Sequence, residues 1–363
     1  MADTDPPDEL TTLRAAIDDV DDRILVLLNE RARTVIRVGE VKAASKSEFY
    51  VPSRERAVFA RLGAQNQGPF PPPSVQNVFR EIMSGCLSLE KALRVAYLGP
   101  EASFTHMACK RHFGLSALYV PAKSISGVFD DVARGQAEFG VVPIENSTEG
   151  VVNHTLDMFM ESELGICAEI LLEVSHHLLS RAPSLAAVQK IYSHPQALAQ
   201  CRAWLDANAR GLPVIEVAST ALAAQMAADD ESAAAIASEL AAQLYELRVL
   251  KSKIEDNLAN FTRFLVISTR KVKASGSDKT SLMFALKDEP GILYRALRPF
   301  DAHKVNMTKI ESRPSKKKPW EYIFFIDLDG HVDSETVQAS IDALRESCLV
   351  VKVLGSYPRA RTA

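Results

Sequence analysis

The chain has 363 residues, 47% of them hydrophobic and 24% charged, with a formal net charge of −4. At about 150 residues per domain this length holds two or three domains, and the apolar share excludes wholesale disorder. No segment is basic enough for a nucleic-acid surface, and none approaches the ~18 consecutive apolar residues of a membrane span.

The first piece reads as helical. Leu10, Leu13, Ile17, Val20, Ile24 and Leu27, then Val38 and Val41, follow the 3-4 spacing of a coiled-coil-like seam. A helix over 9–44 is roughly 54 Å long at 1.5 Å per residue. Two shorter helices, near 52–66 and 74–91, flank the loop GPFPPP at 68–73 and are too short to cover it, which predicts a dimer seam. The second piece opens on the strand at 94–99 and alternates strands (139–144, 190–192, 214–218, 263–268) with helices (126–134, 197–209 and the Ala-rich 219–247), an α/β pattern. Ser275-Gly276-Ser277 marks a linker. The third piece reads strand 280–286, helix 290–301, strands 305–312 and 320–328, helix 333–346 and strand 348–354, the βαββαβ order of a ferredoxin-like sandwich. The predicted domains are 1–92, 93–272 and 279–356.

Five scattered cysteines without a CxxC and an acidic opening, MADTDPPDEL, predict a reduced, cytoplasmic setting with neither disulfide framework nor structural zinc. His176 and His177 lack a third ligand at metal spacing, and neither a GxGxxG nor a Walker loop occurs, so no metal or cofactor is expected. From Val95 to Arg270 there are 13 basic and 20 acidic residues; an anionic ligand there needs locally placed cations.

Arg31 stands in line with the apolar seam, where a buried cation needs a partner or an anionic ligand. Lys42, eleven residues on, lies about 20° around the helix and ~16 Å along it. Arg14 lies ~25 Å from Arg31 on the same helix and reaches a shared site only from an antiparallel partner. Glu90 follows Phe79 and Cys86 on the apolar face of the third helix. These residues suit either a small dianion or salt bridges flanking the seam. In the second piece, polar clusters end strands or begin helices: 97–106, with Ser103 and Thr105; 142–150, with Glu145 and Asn146; 193–196, with Gln196; and 260–267, with Thr262 and Arg263. Ser219-Thr220 reads as a helix cap and His194 as a turn residue. In the third piece Pro290-Gly291 joins a strand to a helix, Glu311-Ser312-Arg313-Pro314 follows a β-rich run, and Lys316–Lys318 reads as an exposed hairpin tip.

Residues 10–91 resemble the all-helical chorismate mutase domain, through Arg14, Glu30-Arg31, the VGEVK run ending at Lys42, and PSRER at 52–56. The resemblance implies that Arg14 of a partner chain, Arg31 and Lys42 clamp two carboxylates and that Lys42 also faces the ether oxygen. It further implies that Arg54 supports a carboxylate and that Glu55 accepts from the ring hydroxyl. Val51, Cys86 and Glu90 stand where some members have Asp, Ser and Gln. Only a protonated Glu90 donates to the ether oxygen, so mutase activity is expected to fall as pH rises. Residues 95–268 resemble prephenate dehydratases through YLGPE, GVVPIENSTEG, SHPQAL, IED and NFTRFLVI, implying two α/β lobes around a cleft, like periplasmic binding proteins. Thr262 would then donate to the leaving hydroxyl, Glu145 and Asn146 would orient it, Arg263 would contact a carboxylate, and Ser103, Thr105 and Gln196 would be secondary contacts. Ala102-Ser103 stands where that family usually has Gly-Thr. Residues 279–356 resemble a phenylalanine-binding ACT domain through GILY at 291–294 and ESRP. The effector set implied is Glu289, Gly291, Ile292, Leu293, Glu311, Ser312 and Arg313. The whole implies a feedback-inhibited homodimer, a tetramer being left open, that acts on chorismate and prephenate without nucleic acid or membrane. Two rivals stay open: a non-catalytic anion sensor, and a dehydratase whose helices serve only for dimerisation.

Overall fold

The computed structural model describes residues 9–45, 52–314 and 322–360; Val51 and Lys316–Lys318 lie outside them. Two compact units emerge. One takes in the described residues up to Leu93 together with Phe113–Ala117, and the other takes in Arg94–His112 and the described residues from Leu118 onward.

The first unit holds α1 (Glu9–Ser45), α2 (Pro52–Gln65) and α3 (Pro72–Glu90). Prolines open both shorter helices, where a missing N–H costs nothing. α3 lies close on α1 at the buried Gly39, where an added Cβ would stand 3.1 Å from Glu90 Cγ. Ser84 Oγ donates to the Phe113 carbonyl (2.8 Å) and accepts from the Ser116 N–H (3.1 Å). The seam residues Leu10, Leu13, Ile17, Val20, Ile24 and Leu27 are 47–63% exposed, an apolar stripe on α1 left open among the described residues.

The second unit contains three sheets. The first lobe comprises β1 (Arg94–Leu98), α4 (Phe104–Phe113), β2 (Leu118–Ala122), α5 (Ile125–Ala133), β3 (Phe139–Asn146), β4 (Gly150–Val151), α6 (Asn153–Glu161) and β5 (Gly165–Glu173). The chain then crosses to a second lobe of β6 (His177–Ser180), β7 (Lys190–Ser193), α7 (Pro195–Gln200), α8 (Arg202–Asn208), β8 (Val214–Glu216), α9 (Thr220–Ala228), β9 (Ala233–Ala237), α10 (Glu239–Leu244) and β10 (Arg248–Lys251). It returns as β11 (Phe261–Ser268), which inserts antiparallel between β3 and β5 and completes the order β2-β1-β3-β11-β5. The second lobe's sheet runs β10-β6-β9-β7-β8. The third sheet is built from β12 (Asp278–Ala285), α11 (Ile292–Ala302), β13 (Met307–Pro314), β14 (Tyr322–Asp329), α12 (Glu335–Ser347) and β15 (Val350–Pro358), in the order β13-β14-β12-β15. Its helices cover one face around Leu282, Phe284 and Ile326. Met283, Phe325, Leu354 and Tyr357, on the other face, share a core with Ile144, Leu156 and Ile166 of the first lobe. β15 approaches β5 at backbone distance: a Cβ on Gly355 would overlap the Ile166 carbonyl oxygen.

The Ala-rich stretch 219–247 is not one helix. Ser232 donates both its N–H and its hydroxyl to Asp230 Oδ1 (3.0 and 2.7 Å). That turn leads into β9, all five of whose residues are fully buried. Alanine favours helices, yet here small side chains let α9 pack on a central strand. The expected helix 197–209 is likewise broken at Cys201, whose backbone leaves helical geometry.

Candidate functional site

β3 and β11 pair so that Asn146 stands opposite Thr262 and Glu145 opposite Arg263. Side chains alternate along a strand, so the two pairs occupy opposite faces of the sheet.

The Asn146–Thr262 face carries a hydrogen-bond network whose direction is fixed by backbone donors. Asn146 Oδ1 accepts from the Thr148 N–H (3.0 Å), the Thr148 hydroxyl (2.5 Å) and the Glu149 N–H (3.1 Å). A backbone N–H only donates, so the amide orientation is settled. Its Nδ2 therefore points at Thr262 Oγ1 (2.8 Å) and Asn260 Oδ1 (2.9 Å). The Thr262 hydroxyl receives a hydrogen bond and keeps its own proton to donate. Asn260 passes the polarity on, its Nδ2 donating to Gln200 Oε1 (3.1 Å). Gln200 Nε2 in turn reaches Thr148 Oγ1 (3.2 Å) and Glu149 Oε1 (3.4 Å). His176 Nε2 lies 2.9 Å from the same Gln200 oxygen and so carries its proton. Burial holds His176 below the ordinary histidine range, and its buried Nδ1 has no hydrogen-bond partner among the described residues. Asn146 and Thr262 belong to the first lobe, Gln200 to the second, and His176 and Asn260 to the two crossovers. One network therefore joins both lobes at their hinge.

The opposite face is ionic. Arg263 donates from Nε to Glu169 (2.8 Å), from Nη1 to Asp327 (2.6 Å) and from Nη2 to the Tyr357 hydroxyl (3.0 Å). Ser281 Oγ donates to Asp327 Oδ1 (2.5 Å) and so accepts from Tyr357 (2.6 Å), whose hydroxyl burial pushes up and keeps neutral. Lys279 also reaches Glu169 (3.0 Å), and Lys309 reaches Glu145 (2.6 Å). The side chains of Arg263, Glu169 and Asp327 are at most 10% exposed. Removing one member of such a buried pair strands a charge, at about 3–5 kcal/mol. Arg263, expected to contact a substrate carboxylate, thus has its whole guanidinium engaged on the face away from Thr262. Glu145, expected to work beside Asn146, is turned to the third sheet.

Ser103 caps α4, accepting from the His106 N–H and donating to the Leu98 carbonyl (both 3.3 Å), and Thr105 is buried in the first turn. Ala102 has φ 60, a left-handed conformation that glycine adopts without cost, which accounts for glycine being usual there. Gln196 is exposed; Gln200, one helical turn on, is the glutamine in the network. The 196/200 helical spacing and the 260/262 strand spacing were the signals available for Gln200 and Asn260.

His106 is 6% exposed and stacked on Tyr97, and burial lowers its pKa from 6.5 to about 4. The unfolded chain takes up that proton near 6.5 and the folded chain only near 4, and His176 and His177 are lowered in the same sense. The stability they contribute is whole above pH 6.5 and is lost as pH falls toward 4. Thermal unfolding followed by circular dichroism is expected to show Tm dropping across that window; a constant Tm from pH 7 to pH 4.5 contradicts this account.

In the helical unit Lys42 Nζ is 3.1 Å from Glu90 Oε2, with the Glu90 side chain only 6% exposed. Two expected site residues thus meet across α1 and α3. Arg31 Nη1 is buried without a hydrogen-bond partner among the described residues, a donor poised for an anion. Cys86 is buried one turn before Glu90. Glu55 is half-buried, while Arg54 and Arg14 are exposed.

In the third sheet, Gly291 has φ 74 and precedes α11. The Ile292 N–H already bonds the Glu289 carbonyl (3.2 Å), and Ile292 and Leu293 pack against the core. Ser312 is exposed, while Glu311 and Arg313 alternate with it, and Arg313 Nη2 donates to Asp157 of α6 (2.9 Å).

Family models match in three places: type II chorismate mutase at 13–91, prephenate dehydratase at 95–272 and ACT domain at 280–346. The bifunctional chorismate mutase/prephenate dehydratase of Aquifex aeolicus (strain VF5) is 52% identical over 357 residues, covering 97% of this chain and 99% of its own length. The chain belongs to the bifunctional chorismate mutase/prephenate dehydratase family. Among solved structures, the prephenate dehydratase of Arthrobacter aurescens in complex with L-Phe is 33% identical, with TM-score 0.69, over 74% of this chain and 90% of that one. A second, GqqA, described as a novel type of quorum quenching acylase, is 30% identical, with TM-score 0.67, over 74% of this chain and 98% of its own. One fold thus carries two named chemistries, so the fold alone does not choose the reaction; the near-full-length identity to the bifunctional enzyme does.

Proposed function

We propose that the chain rearranges chorismate to prephenate in its helical unit and converts prephenate to phenylpyruvate at the hinge network, with phenylalanine acting as inhibitor through the ACT domain. The observation that carries the second reaction is the Thr262 hydroxyl, held by Asn146 as an acceptor and so left with a proton to give. As carboxylate leaves as CO2, its bonding electrons aromatise the ring and expel the ring hydroxyl. A donor at that oxygen stabilises the developing hydroxide, which departs as water once protonated. Gln200 and Asn260 orient the site across both lobes, with Ser103 and Thr105 at the head of α4 as secondary contacts.

The mutase step needs no nucleophile. Negative charge grows on the ether oxygen as its C–O bond breaks; Lys42, held by Glu90 3.1 Å away, faces that charge while Arg31 holds a carboxylate. A second copy covers the α1 stripe and supplies Arg14, making the enzyme a cytoplasmic dimer with domains at 1–92, 93–272 and 279–356. Glu90→Gln still accepts from Lys42 and also offers an amide donor to the ether oxygen, so mutase turnover is expected to be retained; loss of turnover in this variant would assign the carboxylate itself a role. The test of the whole reading is an assay started with chorismate that detects prephenate, then phenylpyruvate, with and without phenylalanine. Failure to form phenylpyruvate from added prephenate refutes it.

A further inference from the structure

Glu145 and Arg263 stand directly behind the proposed reacting pair, as the chain neighbours of Asn146 and Thr262 on the other face of the same two strands. There the ACT sheet meets them: Lys309 of β13 is 2.6 Å from Glu145, and Asp327 of β14 is 2.6 Å from Arg263. Lys309 and Asp327 are register partners in the β13–β14 ladder, just as Glu145 and Arg263 are in β3–β11. One cross-strand pair grips another, charge against opposite charge. The β3–β11 ladder shifts register immediately after Arg263, and the β13–β14 ladder shifts between Met307 and Lys309. At such irregularities main-chain pairing no longer fixes where a side chain points. A cavity of about 30 Å³ adjoins Arg263, Lys309 and Asp327, leaving room for a water molecule and for a small displacement. β13 continues from Lys309 into residues 311–313, the segment with the family's effector motif.

We propose that Lys309 and Asp327 are positioning residues of the dehydratase. They hold Glu145 and Arg263 so that Asn146 and Thr262 keep their geometry, and a ligand that moves β13 alters turnover by loosening that hold. This rests on Asn146 and Thr262 being the reacting site.

The test uses the full chain carrying Lys309→Met, Lys309→Arg or Asp327→Asn, assayed separately with chorismate and with prephenate. In Lys309→Met and Asp327→Asn, kcat for prephenate is expected to fall about 10-fold or more with KM little changed. The chorismate reaction should be unaffected, and phenylalanine should still bind by calorimetry yet inhibit the residual dehydratase less. Lys309→Arg, keeping the charge, should restore most of kcat. Undisturbed mutase turnover and phenylalanine binding certify the fold, and Lys309→Gln replaces Lys309→Met if the latter does not fold. Thr262→Ala is run alongside: if it retains turnover, the site reading itself fails. If Thr262→Ala is inactive while the folded Lys309 and Asp327 variants keep wild-type kcat and full inhibition, the positioning proposal is overturned.

Discussion

Thr262→Ala is expected to lower prephenate turnover by about 10² to 10³, or ~2.7–4 kcal/mol of transition-state stabilisation, the usual cost of deleting one donor aimed at developing negative charge. The loss should fall on kcat, because the hydroxyl matters most when the leaving oxygen gains charge. Local collapse is not expected, because Asn146 keeps its contacts to Asn260, Thr148 and Glu149 once the Thr262 hydroxyl and γ-methyl are gone. Thr262→Ser preserves the donor and should retain most of the rate. Turnover of chorismate to prephenate by the same variant should match wild type. A Thr262→Ala enzyme with a near-normal dehydratase rate removes Thr262 from the chemistry.

Lys42→Ala is expected to depress the mutase by a comparable 10² to 10³ while leaving turnover of added prephenate intact. It removes the cation proposed to face the ether oxygen and deprives the nearly buried Glu90 of its ion-pair partner, so some loss of stability should accompany the loss of rate. The double variant Lys42→Ala/Glu90→Gln separates the two effects: it should regain stability, since no charge is stranded, without regaining activity. Lys42→Arg keeps the charge but replaces a compact ammonium by a planar fork, and intermediate activity is expected. Equal mutase rates in wild type and Lys42→Ala would mean that the helical unit serves assembly only.

The helices α1 to α3 were legible because their signals are local: 3-4 spacing along α1 and prolines at the starts of α2 and α3. The βαββαβ order of the C-terminal part was legible for the same reason. β5, β6 and β9 were not. A strand buried on both faces has no alternation to read, and the Ala-Ala-Ala-Ile-Ala of β9 carries helix propensity that tertiary burial overrides. At the site, the motif residues Asn146 and Thr262 were legible, but their division of labour with Glu145 and Arg263 was not. Adjacent letters in a motif suggest adjacent roles, whereas a strand sends them to opposite faces. Gln196 stands out in the sequence because it ends a compact turn motif, whereas the network that engages Gln200 is assembled from Asn260 and Thr148, distant in sequence.

The interleaving on β3 and β11 also bears on modularity. The residues proposed to serve the reaction and those meeting the ACT domain alternate letter by letter, so no cut in the gene separates them. A one-residue insertion or deletion within either strand would exchange the two sets between faces, and length there can drift only in even steps. A foreign sensor domain grafted after residue 272 would inherit Glu145, Glu169 and Arg263 as charges deprived of their ACT partners. It would need to supply its own counterparts to Lys309, Lys279 and Asp327 before it could dock at all.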